Sequence, residues 1–219
     1  LYYITLFVAS LCATWWIFKK VLNIAKIKNI VDNPDARKLQ RVPVPVLGGV
    51  AVFFGMIVAF AFAGIIYDVS SMFALVCVMT IMLYVGTMDD IIGLTPKARF
   101  IIEIIVVLLL IYYNNNSIDN FHGLWGIYAI PRWIAIPLTV FACVGIINAI
   151  NLIDGVNGLS SGYCIVTCLI FGVTFIVTGD VSSASLAILA IGALIPFFVH
   201  NVFGKKSKMF IGDGGTLLM

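Results

Sequence analysis

Hydrophobic residues along the chain form seven long runs, separated by short polar segments. Each run approaches or reaches the roughly 20 residues that an α-helix needs to cross a bilayer. Alternating ten-residue segments, typical of outer-membrane barrels, are absent from the sequence. The pattern predicts an all-α polytopic membrane protein with at least seven transmembrane helices plus the start of an eighth. The runs lie at 2–22, 46–67, 71–88, 98–113, 132–150, 159–178 and 183–203, and the eighth starts around Thr216.

Composition supports a membrane protein and excludes an ordinary soluble domain. Of the 219 residues, 62% are hydrophobic and 11% are charged, whereas about 25% of a soluble domain is charged. The five cysteines lie in hydrophobic runs without zinc-ligand spacing, and we interpret them as small hydrophobic filler. The chain begins at Leu1 and stops at Met219 inside a new hydrophobic run. We therefore expect one integral membrane domain over 1–219 that belongs to a longer protein.

Basic residues are concentrated in alternate connections between the runs. Of the 13 lysines and arginines, 12 fall on one side if the chain crosses at every run, and Arg132 falls on the other. The positive-inside rule places these connections in the cytoplasm. The same alternation brings Asp32, Asp35, Asp89, Asp90, Asp154 and Asp213 to the cytoplasmic side.

The segment 148–162, NAINLIDGVNGLSSG, is strongly polar within a hydrophobic region. It holds four amide or carboxylate side chains and three glycines. Polar groups are costly in hydrocarbon unless they are paired, so a lipid-facing helix is disfavoured. The composition favours a water-facing loop whose backbone approaches a phosphate or a metal.

Two further loops carry acidic residues. Asp89 and Asp90 end the third run, where the helix dipole disfavours negative charge. A cation should offset this charge, and a divalent metal is the simple candidate; the alternative is a solvated pair. Thr95 and Pro96 predict the start of the next helix. Asp213, between two glycines, is either a plain N-cap or part of a turn whose amides hold a phosphate.

These loops together predict phosphoryl transfer. Carboxylates with Mg²⁺ and nearby lysine or arginine are the groups that such chemistry uses. The first cytoplasmic loop supplies many of the cations, although a positive-inside anchor alone would also explain them. A site built on helix ends at the membrane face suits one soluble and one lipid substrate.

Four segments resemble the polyprenyl-phosphate N-acetylhexosamine-1-phosphate transferases of glycosyltransferase family 4, in the branch of WecA and TagO, which is related to the MraY translocases. The segments are DNPDARKLQRVPVPVLGG at 32–49, DDIIGLTPKARF at 89–100, NAINLIDGVNGLSSG at 148–162 and FIGDGG at 210–215. They occur in the family's order. The resemblance implies a bacterial inner-membrane enzyme with about 10–11 transmembrane helices in full and a cytoplasmic active site.

The implied reaction transfers an N-acetylhexosamine 1-phosphate from a UDP-N-acetylhexosamine to undecaprenyl phosphate and releases UMP. It would start a cell-envelope glycan such as lipopolysaccharide or teichoic acid. UDP-GlcNAc is the first choice of donor, and Mg²⁺ is the implied cofactor, with Mn²⁺ as a substitute. The lipid bilayer is the expected setting, nucleic acid is not an expected partner, and a homodimer is left open.

The resemblance also implies roles for individual residues. Asp89 would deprotonate the lipid phosphate or attack as a nucleophile, and both mechanisms stay open. The implied catalytic residues are Asp89, Asp90 and Asp154; the metal ligands are Asp213, Asn151 and Asp154; the nucleotide-sugar contacts are Gly155, Val156, Asn157 and Phe210; and the phosphate contacts are Arg37, Lys38 and Arg41.

Some positions depart from the family pattern. Gln40 replaces a frequent histidine, and Asn157 replaces a frequent aspartate. Gly93 stands where the muramoyl-pentapeptide branch has lysine, which argues against a phospho-MurNAc-pentapeptide transferase. The family's histidine-rich loop is expected beyond Met219. A transporter or channel would place ionisable groups near the bilayer midplane, whereas these acids lie at span ends; a non-catalytic scaffold is the third hypothesis.

Overall fold

The computed structural model describes residues 1–34, 41–115, 117–204 and 207–219. Within these ranges it contains seven α-helices of 19 to 26 residues and one of five residues. Two strands, β1 (Val31–Asp32) and β2 (Val44–Pro45), and two 3₁₀ helices, Ser70–Met72 and Leu124–Gly126, complete it. The α-helices are α1 (Tyr2–Ile27), α2 (Gly48–Ile66), α3 (Phe73–Ile92), α4 (Pro96–Asn114), α5 (Arg132–Ile153), α6 (Leu159–Thr178), α7 (Val181–Phe203) and α8 (Gly212–Thr216).

Each of the seven predicted hydrophobic runs coincides with one long helix. In the described part of the chain, six helices are long and hydrophobic enough to cross a membrane, namely all the long ones except α4. α4 differs because Lys97, Arg99 and Glu103 lie in its first half. The predicted all-α fold with several membrane spans is confirmed.

One predicted helix boundary at the polar end of the bundle was wrong, and another prediction there is confirmed. α3 ends at Ile92, so Asp89 and Asp90 lie at the C-terminal end of the third long helix, as the sequence indicates. α8 begins at Gly212 instead of near Thr216, so Asp213 lies inside the helix rather than before it. The physical reason is a contact between these helices: the side chain of Asp90 accepts hydrogen bonds from the first amides of α8.

The core lies between α1, α2 and α7, with α6 packed on the other side of α7. Large side chains from these helices are buried together with Ile211, which precedes α8. They include Phe18, Val52, Leu189 and Phe197. The core therefore anchors the start of α8 to the long helices.

Glycines allow α8 to pack directly against the backbones of α2 and α3. A side chain at Gly86 would overlap the backbone of Asp213, and one at Gly49 would overlap the backbone of Gly215. Because no Cβ atom separates these backbones, Asp213 lies beside the last turns of α3.

The loop between α1 and α2 is fixed to the segment before α8. β1 and β2 pair antiparallel, with Val31 opposite Pro45 and Asp32 opposite Val44. The N–H of Phe210 donates to the carbonyl of Pro45 at 2.9 Å, and the N–H of Gly48 donates to the carbonyl of Phe210 at 3.1 Å. These bonds bring the first and last polar loops together.

Candidate active site at the polar end of the helix bundle

A cavity of about 560 Å³ lies where the polar ends of the helices meet. Its walls come from β1, Val46 just after β2, the last turns of α3, the end of α5 with the loop that follows it, and the segment from Phe210 to the start of α8. Eight of the residues implied by the sequence line it, namely Asp89, Asp90, Asn151, Asp154, Gly155, Val156, Phe210 and Asp213. Four distant segments of the sequence thus form one site.

Two implied residues do not line this cavity, and two more lie outside the described residues. Asn157 and Arg41 are exposed outside its walls. Arg37 and Lys38 lie outside the described residues. The roles of all four stay predictions.

Asp89 is held at the C-terminal end of α3 by two donors. The N–H of Leu94 donates to Oδ1 at 2.6 Å, and Arg99 Nη1 lies 3.2 Å from Oδ2. Arg99 of α4 therefore supplies part of the positive charge that offsets the helix dipole and the carboxylate at this point. The Asp89 side chain is only 13% exposed, yet it still lines the cavity, as a group that contacts a substrate must.

Asp90 is oriented differently from its neighbour. Its Oδ1 accepts from the N–H of Asp213 at 3.0 Å, and its Oδ2 accepts from the N–H of Gly214 at 3.1 Å. Two of the amides that could have held a phosphate thus bind a carboxylate of the protein instead. This arrangement fixes α8, and with it Asp213, against α3.

Asp213 is held from the other side by α5. The side-chain amide of Asn151 donates to the Asp213 carboxylate and also to Thr216 Oγ1, the latter at 2.7 Å. Arg99 Nη1 lies 3.7 Å from Asp213 Oδ2. Burial raises the pKa of Asp213, although the hydrogen bond from Asn151 acts in the opposite direction.

Asp154 caps the end of α5 and faces the same cavity. Ser160 Oγ donates to Asp154 Oδ1 at 2.6 Å. Burial raises the pKa of Asp154 to about 6, although the hydrogen bonds from Ser160 and from the backbone of Gly212 lower it. The nearby negative charge of Asp213 raises the pKa of Asp154 further, by less than burial does.

The chemistry of the donors suits a hard cation that also binds substrate. Among the described residues, no group of three or more His, Cys, Asp or Glu side chains is arranged as a complete metal site. Mg²⁺ usually takes one or two carboxylates and completes its shell with water and substrate phosphates. Asp213, with the amide oxygen of Asn151 or with Asp154, could supply that partial shell, and the excess of carboxylates over nearby cations favours a cation here.

Sequence reasoning missed several residues of this region. Asp32, Val46, Leu152 and Gly212 also line the cavity. Asp32 opens the motif at 32–49, so the motif itself could have indicated it. Arg99 is, in the sequence pattern, only one of the 12 basic residues on the predicted cytoplasmic side, because no sequence signal places it between Asp89 and Asp213.

The family model described as Glycosyl transferase family 4 matches residues 72–219. A probable undecaprenyl-phosphate N-acetylglucosaminyl 1-phosphate transferase of Bacillus subtilis (strain 168) is 32% identical over 221 residues, covering 97% of this chain and 59% of that protein. The undecaprenyl-phosphate alpha-N-acetylglucosaminyl 1-phosphate transferase of Escherichia coli (strain K12) is 27% identical over 201 residues, covering 90% of this chain and 54% of that protein. The chain thus spans little more than half the length of these relatives.

Proposed function

The chain belongs to glycosyl transferase family 4, and from this premise we propose that the protein transfers N-acetylglucosamine 1-phosphate from UDP-GlcNAc to undecaprenyl phosphate. An oxygen of the lipid phosphate bonds to the sugar-linked phosphorus of the donor, and the bond from that phosphorus to the bridging oxygen of UMP breaks. The products are undecaprenyl-diphospho-GlcNAc and UMP. The names of the relatives support this sugar phosphate and this acceptor.

The observation that carries the proposal is the convergence of four aspartates on one cavity. Asp89, Asp90, Asp154 and Asp213 come from two helices and one helix-capping position, and all of them line it. A concave site with several perturbed carboxyl groups is the expected place for catalysis. Its position at the ends of hydrophobic helices also fits one soluble and one membrane-bound substrate.

Asp89 is the group we assign to the lipid phosphate. Its carboxylate lies at the cavity and is held by Leu94 and Arg99, so it can accept a proton or attack phosphorus directly. Both carboxylate oxygens of Asp90 accept hydrogen bonds from α8. We therefore assign Asp90 the role of orienting Asp213. Asp154 faces the diphosphate from the end of α5.

We assign a magnesium ion to Asp213, with Asn151 and Asp154 as the further oxygen donors. When bound, this ion neutralises diphosphate charge and stabilises the charge that develops on the leaving phosphate. The hydrogen bond between Asn151 and Asp213 already holds these two side chains together.

The loop after α5 and the residue Phe210 form the proposed uridine pocket. Gly155 and Val156 line the cavity, and Asn157 follows them on the same loop. Phe210 packs against Val44 and Val46 and is 4% exposed, so a uracil ring would meet only the part of this ring that faces the cavity. Arg37, Lys38 and Arg41 complete the proposal as phosphate contacts.

The proposal is tested with the full-length protein in detergent, undecaprenyl phosphate, Mg²⁺ and labelled UDP-GlcNAc. We expect UMP release together with label in the lipid phase, and we expect EDTA to abolish both. Asp89→Asn and Asp213→Asn should abolish turnover while the protein still inserts into the membrane. Asp180→Asn is the matched control, because Asp180 caps α7 far from the cavity and asparagine caps helices equally well.

Other outcomes would contradict the proposal in different ways. If turnover were retained in both Asp89→Asn and Asp213→Asn, these two carboxylates would not be required for the reaction. Label transfer only from another UDP-N-acetylhexosamine would correct the donor and keep the reaction. Substrate-dependent flux in proteoliposomes without UMP release would indicate a transporter instead.

A further inference from the structure

Glu103 is a buried carboxylate that the proposed mechanism does not use. It lies in the second turn of α4, its side chain is 1% exposed, and it does not line the cavity. A buried carboxylate is costly unless it is paired, and such groups are retained mainly where they pair and serve function. The groups that contact Glu103 therefore indicate its role.

Glu103 is bonded to a neighbouring helix through Asn148. The side-chain amide of Asn148 donates to Glu103 Oε2 at 2.6 Å and to the backbone carbonyl of Val144 at 2.9 Å. These two bonds fix the orientation of the Asn148 amide, so that its oxygen points away from Glu103. That oxygen accepts a hydrogen bond of 3.2 Å from Arg99 Nη2.

Arg99 is thus held on two edges of its guanidinium group. Nη2 binds Asn148, and Nε lies 3.5 Å from Glu103 Oε1. Among the described residues, no donor forms a hydrogen bond with this Oε1 atom, so the charge of Arg99 is its nearest compensation. The third nitrogen, Nη1, contacts the carboxylates of the cavity.

Arg99 Nη1 lies between a proposed catalytic residue, Asp89, and a proposed metal ligand, Asp213. Nη1 lies 3.2 Å from Asp89 Oδ2 and 3.7 Å from Asp213 Oδ2. A planar guanidinium that is fixed on one side presents its remaining donors in a defined direction. The contacts form a continuous path from Glu103 and Asn148 to the reacting end of the site.

We propose that Glu103 and Asn148 are positioning residues that hold Arg99 between Asp89 and Asp213. The inference rests on the proposed function, since it concerns the same site. Arg99 held in this way offsets the repulsion between the two carboxylates and keeps a donor at the point where phosphate charge arrives. Glu103 and Asn148 act only through Arg99 and contact no substrate themselves.

A simple helix-stabilising pair between Arg99 and Glu103 does not account for this arrangement. Residues four apart on one helix face often pair in this way, but such pairs are solvated and involve one helix. Here the carboxylate is buried, and the bridging amide comes from α5, 45 residues away. The two explanations predict different results when the partners are changed together.

The first test is a double-mutant cycle on kcat/KM in the full-length protein, using the labelled UDP-GlcNAc assay and only the monodisperse fraction of each variant. Glu103→Gln should lower kcat/KM about ten- to a hundredfold, as is typical of side chains that orient a group in an active site. In an Arg99→Gln background, the same Glu103→Gln change should have almost no further effect, because its only route to the reaction is gone.

The second test exchanges the two partners. Asn148→Asp alone removes the amide that binds Glu103 and brings two carboxylates together. Combined with Glu103→Gln, it restores one amide donor and one carboxylate acceptor in reversed positions, although the bond to the Val144 carbonyl is lost, and the carboxylate introduced on α5 can still accept from Arg99. We expect the double variant to recover part of the kcat/KM lost in the Asn148→Asp variant.

The control is Ser185→Ala, which removes a buried hydroxyl from α7 near Tyr2, far from the cavity. It should leave kcat/KM unchanged. Additive losses in the cycle, no recovery in the exchange, or full activity in Glu103→Gln would each overturn the inference and leave the proposed function intact. An inactive wild-type protein would overturn the proposed function and the inference with it.

Discussion

Asp90 Oδ1 accepts a hydrogen bond of 3.0 Å from the backbone N–H of Asp213, which lies 123 positions further along the chain. The first N–H groups of a helix have no partner within the helix and need another acceptor. For α8 this acceptor is a carboxylate from α3. Two adjacent aspartates therefore differ in environment: Asp89 pairs with Arg99, whereas Asp90 fixes the helix that carries Asp213.

This difference predicts separate effects on stability. Asp90→Ala leaves two amides of α8 without their acceptor, and we expect the free energy of unfolding to fall by about 2 kcal/mol, at about 1 kcal/mol for each bond. Turnover should also fall, because Asp213 loses its fixed position. The measurement is denaturant unfolding in detergent together with UMP release.

The control for Asp90→Ala is Asp180→Ala, which removes the carboxylate that caps α7 at Ser183. It should cost about 1 kcal/mol and leave turnover unchanged. A fully stable and active Asp90→Ala protein would show that α8 does not depend on this cap.

Gly86 allows α3 and α8 to touch. In Gly86→Ala, the new methyl group would overlap the backbone carbonyl of Asp213, so α8 must move away from α3. Overpacking of this kind usually costs about 1–3 kcal/mol, and a displaced Asp213 should lower kcat by about tenfold or more. Steady-state kinetics and thermal unfolding in detergent test both effects.

Gly145→Ala is the matched control for Gly86→Ala. Gly145 lies inside α5, and a Cβ atom there would meet nothing within 4 Å. Since alanine is the better helix former, this variant should be unchanged or slightly more stable, by up to about 1 kcal/mol. Equal behaviour of the two variants would contradict close packing at Gly86.

The hydrophobic pattern predicted most of the fold because the position of each long helix follows from the hydrophobic composition of its own segment. The run predicted at 159–178 is α6, and Thr95 caps α4 as its sequence indicates, through a bond of 3.3 Å from the N–H of Ala98. The pattern failed at the start of α8. The eighth run was predicted to start around Thr216, but the helix begins at Gly212, where the Asp90 carboxylate accepts hydrogen bonds from its first amides.

The site could be predicted only in part for a related reason. Polar residues at the ends of hydrophobic runs, such as Asn151 and Asp154, are visible as exceptions to the pattern. The contact of Glu103 with Asn148 joins residues 45 positions apart, and each of them alone resembles an ordinary polar residue near a helix end. Such pairs depend on how α4 packs against α5, which no local signal encodes.

The raised pKa of Asp154 predicts a pH dependence of stability in the metal-free protein. Its pKa is about 6 in the folded protein, compared with its ordinary value of 3.8. Between these values the folded protein binds a proton that the unfolded chain does not bind, so stability falls as the pH rises from about 4 to about 6. At about 1.4 kcal/mol for each pKa unit, the loss is roughly 3 kcal/mol.

Asp154→Asn should remove this part of the pH dependence, because asparagine does not titrate. The comparison is made in EDTA by unfolding the wild-type and variant proteins at several pH values, so that other carboxyl groups contribute equally to both. Identical slopes between about pH 4 and pH 6 would show that burial does not raise the pKa of Asp154.

Asn201 connects the two loops that form the proposed nucleotide pocket. Its side chain is 4% exposed; the carbonyl oxygen accepts from the N–H of Gly158 at 2.7 Å, and the amide donates to the carbonyl of Met209 at 2.9 Å. Asn201→Ala leaves both backbone groups unpaired, at a cost of about 1–3 kcal/mol for each buried group. The loop of Gly155 and Val156 would then lose its fixed distance from Phe210.

We therefore expect Asn201→Ala to weaken UDP-GlcNAc binding more than it slows turnover. The KM for UDP-GlcNAc should rise about tenfold, while the KM for undecaprenyl phosphate stays close to its wild-type value, because the lost bonds support only the nucleotide side of the cavity. Ser185→Ala again controls for the loss of a buried polar group. An equal rise of both KM values, or a fall in kcat alone, would place the effect of Asn201 on the whole site rather than on the nucleotide loop.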